Sequence, residues 1–261
     1  MSDTSGRGAI VISGASSGLG EGFARRFAAA GEDVVLVARR AERLERLAAE
    51  LHHRYAVRAE VITLDLRGPA AADELLMQLR QRGLFATGLV NSAGFGTAGL
   101  FIDEDAARLA DQIAVNVTAL TLITRALLPD LLASRGLLVN VSSTASHQPL
   151  PRMAVYAATK AFVTSLTEAI WYETRGDLRV LALCPGPTET EFFAAAGSEE
   201  FKIGAVATVD EVLDGAFRIL ERPHPGPVHT VGARNRLQGW AARVAPRRLR
   251  LSVASALGGQ R

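Results

Sequence analysis

Short apolar runs alternate with stretches of helical hydrophobic period along most of this chain, and that alternation restricts its fold more than any other feature. Residues 9–13, 34–38, 58–64, 88–91, 137–141, 180–184 and 228–231 read as strands. Between them, residues 18–30, 40–53, 69–82, 103–134, 153–174 and 208–220 place apolar side chains one turn apart, as in Phe23 and Phe27 or Leu44, Leu47 and Leu51. Thr208 and Glu211 have the spacing of a capping box. Strands that are apolar on both faces need cover on both sides, and helical crossovers supply it only to parallel neighbours. The predicted fold is α/β: a doubly wound parallel sheet in a three-layer α/β/α sandwich. No linker divides the chain before Pro223. One domain is therefore expected over residues 1–232, followed by a basic C-terminal extension over residues 233–261.

With 261 residues, 48% of them apolar, the chain can bury a large core, which excludes disordered and fibrous classes. Cys184 is the only cysteine, so no internal disulfide can form and a cytoplasmic setting is the natural expectation. Residues 1–8 are polar, the apolar run after them is too short for a signal segment, and no run of eighteen apolar residues follows. A soluble protein is expected. Net charge is only +2, yet residues 222–261 hold eight arginines and no acid. The preceding body is therefore net negative, which argues against a nucleic-acid-binding surface.

Between the first strand and first helix lies Gly14-Ala15-Ser16-Ser17-Gly18-Leu19-Gly20. Glycines there allow a tight turn and bring backbone N–H groups close to a pyrophosphate at a helix N-terminus, as in Rossmann-type nucleotide sites. The second strand ends in Ala38-Arg39-Arg40, where an NAD site usually has an acid for the ribose hydroxyls. An arginine suits a 2′-phosphate instead, so NADP(H) is expected in preference to NAD(H), with Arg39 as its contact.

Tyr156 and Lys160 stand four residues apart in a helical stretch, on one face and one turn apart, in a chain with only one other lysine. A phenol ordinarily holds its proton to about pH 10. A neighbouring cation would favour the phenolate by roughly 3–4 kcal/mol, making Tyr156 a usable general acid and base. Ser143 lies a short loop upstream, at the end of the fifth strand.

Taken in order, these motifs resemble the compact, single-domain branch of the short-chain dehydrogenase/reductase family. The resemblance spans residues 9–231 and rests on Ser13-Gly14-x-x-x-Gly18-x-Gly20, Asp65, Asn91-Ser92-Ala93-Gly94, Asn116, Ser143, Tyr156-x-x-x-Lys160 and Pro185-Gly186-Pro187-Thr188-Glu189-Thr190. Ser13 replaces a frequent Thr, and Ser92 a frequent Asn. The resemblance implies that Tyr156 exchanges a proton with the substrate oxygen and that Ser143 hydrogen-bonds the same atom. It further implies that Lys160 holds the nicotinamide ribose and lowers the pKa of Tyr156, and that Asn116 holds a water extending the proton relay. Asp65 would face the adenine and Asn91 the adenosine. Ser16, Ser17, Leu19, Ala93 and Gly94 would line the cofactor, with Pro185, Gly186, Thr188 and Thr190 packing at its nicotinamide end.

The same resemblance makes residues 190–207 a substrate lid. Phe192, Phe193 and Phe201, facing Leu150, Pro151 and Met153, would give a mostly apolar pocket for a small carbonyl or alcohol. No metal is expected, since the histidines are scattered and no cysteine accompanies them. A P-loop lysine and a Gly-x-Ser-x-Gly elbow are both missing. In the extension, Leu237, Trp240, Ala241 and Val244, then Leu249, Val253, Ala256 and Leu257, read as apolar faces of two short basic helices. Packing over the pocket or against a second copy, in a homodimer or homotetramer, is favoured over contact with an anionic membrane. The alternative to an oxidoreductase is a catalytically idle nucleotide sensor or membrane-associated scaffold on the same fold.

Overall fold

A computed structural model describes residues 6–192, 206–222, 225–244 and 246. Seven strands form one parallel sheet in the order β3-β2-β1-β4-β5-β6-β7: β1 (Arg7–Ser13), β2 (Val34–Ala38), β3 (Ala59–Thr63), β4 (Leu84–Asn91), β5 (Leu137–Val141), β6 (Arg179–Cys184) and β7 (Val228–Thr230). The order reverses direction between β1 and β4, which opens a crevice at the carboxyl ends of those strands. β4 starts four residues before the apolar run suggests, because it pairs with β1 from Arg7 onward through a register shift between Ala9 and Ile10.

Alternate strand residues serve opposite faces of the sheet. Ile10, Ile12 and Leu36 pack under α1 (Gly18–Ala29), α2 (Ala41–Tyr55) and α7 (Val209–Leu220) through Phe23, Phe27, Leu44, Leu51 and Leu213. Val11, Val35, Leu89 and Leu138 pack on the other side against Leu75 and Leu79 of α3 (Ala71–Gln81) and Ile123, Leu127 and Leu131 of the helix that follows β4. The capping box at Thr208 and Glu211 is present, each side chain bonding the other's backbone N–H.

The long helix expected over residues 103–134 is not continuous. A 3₁₀ turn (Phe101–Asp103) precedes α4 (Ala106–Ile113), a π-helical turn (Ala114–Ala119) follows, and α5 (Leu120–Ala133) completes it. A π turn inserts one residue without breaking the helix, so hydrophobic period does not reveal it. Residues 106–133 also have the length and composition of a membrane span, although they hold no run of eighteen apolar residues. Their apolar stripe instead packs on the sheet, and Asp130 is buried against Arg80 and the Ala86 N–H.

The extension forms α8 (Ala233–Val244), which rests on β7 and on the 3₁₀ turn Thr144–His147. Its packed face differs from the expected one. Gly239 and Ala242 face inward, while Leu237 and Trp240 are exposed and Ala241 faces solvent. The reason is steric: a Cβ on Gly239 would stand 2.8 Å from the His147 ring, so only glycine allows the helix this close. Asn235 donates to the Val231 carbonyl and sits against Gly186. The second expected helix, with Leu249, Val253, Ala256 and Leu257, lies outside the described residues, as do the lid residues Phe193 and Phe201.

Candidate active site

A cleft of about 650 Å³ runs along the carboxyl ends of β1, β2, β4, β5 and β6. The glycine turn forms one wall. Gly14 has φ +70, and a Cβ there would sit 2.7 Å from the Ala93 N, so the turn and the β4 loop can meet only with glycine at this position. Ser13 ties the two together by accepting from the N–H groups of Ser92 and Ala93. Ser16, Ser17, Gly18 and Leu19 line the cleft where α1 begins, and Ala93 and Gly94 line it opposite. Gly20 does not reach it. A Cβ there would lie 2.3 Å from the Gly14 carbonyl oxygen, so its role is to let α1 pack against the turn.

Arg39, Arg40 and Asp65 line the same end of the cleft. Asp65 is paired with Arg67, whose hydrogen bonds hold its carboxyl down at about 2. Open backbone at a helix N-terminus, two serine hydroxyls and two guanidinium groups are a donor set that fits a phosphorylated dinucleotide.

Asn91 is placed differently from expectation. Its side chain is buried and donates to Thr124 Oγ1 and Asn140 Oδ1, both at 2.9 Å, and Asn140 donates in turn to Thr167. This polar ladder fastens β4 to β5, α5 and α6 (Ala154–Glu173) beneath the cleft and does not line it. Asn116, in the π turn, also lies off the cleft. Its Oδ1 accepts from the Phe95 N–H and its Nδ2 donates to the Phe95 carbonyl and Thr159 Oγ1. Both ends of its amide are thereby used to anchor the β4 loop to α6.

At the other end of the cleft α6 presents Tyr156 and Lys160 on one buried face. The Tyr156 hydroxyl is hydrogen-bonded to Ser143. Ser143 caps the 3₁₀ turn by accepting from the Ala145 N–H, which fixes its side chain. Ser142, by contrast, donates to the Lys160 carbonyl at 2.9 Å and bonds Thr164, holding β5 to α6. Lys160 Nζ donates to the Val141 carbonyl at 2.8 Å and stands 5.8 Å from the centre of the Tyr156 ring.

That arrangement corrects the simple charge argument. Burial pushes the Tyr156 phenol up to about 12, only partly opposed by the Ser143 hydrogen bond. Burial also brings Lys160 down to about 8. Desolvation acts against both charged forms, and the ammonium is spent on the Val141 carbonyl, so it does not offset the phenol's burial.

Leu150, Met153 and Phe192 cluster with the tyrosine, the Phe192 ring 5.1 Å from it, and Phe95 also lines the cleft. Pro185, Gly186, Pro187, Thr188 and Thr190 close the cleft from the β6 side. Two polar groups that the sequence did not single out also belong here: Arg40, which bonds Ser16 and Ser17, and Glu191, which bonds Arg40 and Arg43. The adjacency of Arg39 and Arg40 was a signal for the first, whereas Glu191 is distant in sequence and gave none.

Residues 8–200 match the short chain dehydrogenase family. The chain belongs to that family. It is 35% identical over 248 residues to a sulfoacetaldehyde reductase of Chromohalobacter salexigens, covering 89% of this chain and 96% of that protein. It is 33% identical over 225 residues to a serine 3-dehydrogenase of Agrobacterium fabrum, covering 83% and 89%. Among solved structures, a short-chain dehydrogenase from Sphingobium yanoikuyae in complex with NADPH superposes with a TM-score of 0.80 at 33% identity, covering 91% and 93% of the two chains.

Proposed function

We propose that this protein is an NADP(H)-dependent oxidoreductase that interconverts a ketone or aldehyde and its alcohol on a predominantly apolar small molecule. The observation that carries this reading is the partly buried Ser143 beside the buried Tyr156 and Lys160 at the apolar end of a cleft whose opposite end is lined by Ser16, Ser17, Arg39 and Arg40. The glycine turn would hold the pyrophosphate and Arg39 with Arg40 the 2′-phosphate; the nicotinamide, when bound, supplies or takes the hydride.

The chain's own groups handle the proton. Ser143 and Tyr156 converge on one point, where the substrate oxygen would accept two hydrogen bonds. Tyr156 then gives that oxygen its proton in the reductive direction and takes it back in the oxidative one. A phenol held at about 12 is protonated across the neutral range, which suits the acid role. Lys160, at about 8, is mostly protonated at neutral pH and would be the proton source for its resupply. Asn116 would reach that path through its backbone in the π turn, since its amide is committed. Leu150, Met153 and Phe192 exclude water and favour an apolar substituent beside the carbonyl.

The apolar substrate is argued from this chain's own lining and not from the relatives, which are named for sulfoacetaldehyde and serine. We take residues 1–232 as the catalytic unit, with residues 190–207 over the substrate and 233–261 as an extension. A cytoplasmic homodimer or homotetramer fits the exposed Leu122 and Phe162 on the outer faces of α5 and α6.

A panel of aldehydes and ketones of graded polarity, assayed with NADPH and NADH alongside Tyr156→Phe, tests the reading. Turnover with NADPH on apolar carbonyls, and its loss by at least about a hundredfold in the variant, is expected. Full activity in Tyr156→Phe would overturn the mechanism, and equal dissociation constants for the two cofactors would overturn the preference.

A further inference from the structure

Arg40 joins two separate parts of the cleft, the glycine turn and the segment after Thr190. Its Nε donates to Ser16 Oγ at 3.0 Å, its Nη2 to Ser17 Oγ at 2.7 Å and its Nη1 to Glu191 Oε2 at 2.8 Å. The other carboxylate oxygen of Glu191 accepts from Arg43 Nη1 at 2.7 Å. Glu191 follows Thr190 on the segment that closes the cleft from the β6 side, and it lines the cleft together with Ser16, Ser17, Arg39 and Arg40. Two guanidinium groups sharing one carboxylate hold its carboxyl down at about 2, so it is an anion at any working pH.

A carboxylate bridging two guanidinium groups, with one N–H bond from each, uses donors that a phosphate monoester would also use. Every nitrogen of Arg40 is already engaged, two by hydroxyls of the glycine turn and one by Glu191. The turn hydroxyls are neutral and could bond a phosphate along with Arg40. Glu191 could not, because its charge repels the phosphate. Arg39 differs from Arg40: among the described residues its guanidinium makes no hydrogen bond or ion pair, so it is open to an anion in either case.

We propose that Glu191 competes with the cofactor's 2′-phosphate for Arg40, and so sets how strongly this cleft distinguishes NADP(H) from NAD(H). The inference rests on the cofactor reading above and assigns its specificity to a residue outside the glycine turn and the β2 end. An incoming 2′-phosphate takes Arg39 and displaces Glu191 from Arg40; a cofactor with a free 2′-hydroxyl leaves the bridge intact. One consequence concerns the substrate end. Phe192, the next residue, packs against the Tyr156 ring, so release of Glu191 at the adenosine end loosens the anchor of a group that covers the reacting tyrosine. By linkage, whatever holds this segment closed weakens the 2′-phosphate by the same factor.

Binding of adenosine 2′,5′-bisphosphate and of 5′-AMP, measured by calorimetry on the full chain and on Glu191→Gln, tests the proposal without turnover. Glu191 is half-exposed, so the substitution leaves the core untouched. The expected result is a tightening of the bisphosphate by about fivefold in the variant, about 1 kcal/mol, with 5′-AMP unchanged. No change for the bisphosphate, or a weakening of both nucleotides as a simple clamp would give, overturns the proposal. The parent protein's own ratio of the two affinities reads the cofactor preference separately. A preference for the bisphosphate that Glu191→Gln leaves unaltered sinks the competition and keeps the NADP(H) reading. A preference that appears only in the variant supports the competition and sinks that reading.

Discussion

Replacing Lys160 by methionine should make the protein more stable at neutral pH while removing its activity, and the gain should vanish in alkali. Lys160 is buried in α6 with its ammonium on the Val141 carbonyl, and burial lowers its pKa from 10.5 to about 8. At about 1.4 kcal/mol per pH unit, keeping it charged at pH 7 costs the fold about 3 kcal/mol relative to the unfolded chain. Methionine removes that cost and nearly preserves the volume. It also removes the donor to Val141, which gives back about 1–3 kcal/mol. The net expectation at pH 7 is a variant about 1 kcal/mol more stable, or roughly 2–4 °C in Tm for chains of this order.

The pH dependence is the sharper signature. Between pH 8 and 10.5 the unfolded chain binds the lysine proton and the folded chain does not, so wild-type stability rises with pH across that window relative to the variant. By pH 10 about 2–3 kcal/mol of the lysine's cost is gone, and methionine should then be the less stable of the two. Urea denaturation of both proteins at pH 7 and pH 10 measures this. Tyr156 titrates in both and cancels in the difference. A stability difference that is the same at the two pH values would refute the burial argument.

Two further outcomes follow from the packing. Gly20→Ala places a methyl 2.3 Å from the Gly14 carbonyl oxygen, backbone against backbone; α1 must shift, and a loss of roughly 1–3 kcal/mol with weaker 5′-AMP binding is expected from thermal melts and calorimetry. Asp130→Ala leaves the Ala86 N–H and the half-exposed Arg80 without their shared carboxylate, and urea denaturation should show a loss of about 2–3 kcal/mol.

Much of the site was readable before any coordinates. Each strand carries its own run of branched apolar residues, and each helix its own period, so residues 9–13, 34–38 and 137–141 announce buried strands from local sequence alone. Tyr156 and Lys160 were found because a one-turn spacing is a local relation, and Ser143 because its separation from Tyr156 matches the family resemblance. The π turn around Asn116 was invisible, since it is a single turn inside a long helical stretch and no local residue pattern marks it. The face of α8 was misread for a related reason: hydrophobicity proposed Leu237 and Trp240, but close approach to His147 selected Gly239 and Ala242. The pairing of Glu191 with Arg40 joins residues far apart in the chain, and nothing local encodes it.

The sequence by itself therefore determined the alternation of strands and helices, the doubly wound class, the glycine turn and the catalytic residue types. Only the tertiary structure decided how those residues are charged and what they touch. Whether Lys160 aids or fails to aid the phenol depends on distance and dielectric, and both come from how α6 is buried against β5. Asn91 is a structural ladder residue rather than a cofactor contact because its side chain points into the layer beneath the cleft. Arg40 is not a free cation because a segment some 150 residues away folds the Glu191 carboxylate onto it. Periodicity and spacing are properties of neighbours along the chain; solvation and partner choice belong to neighbours in space.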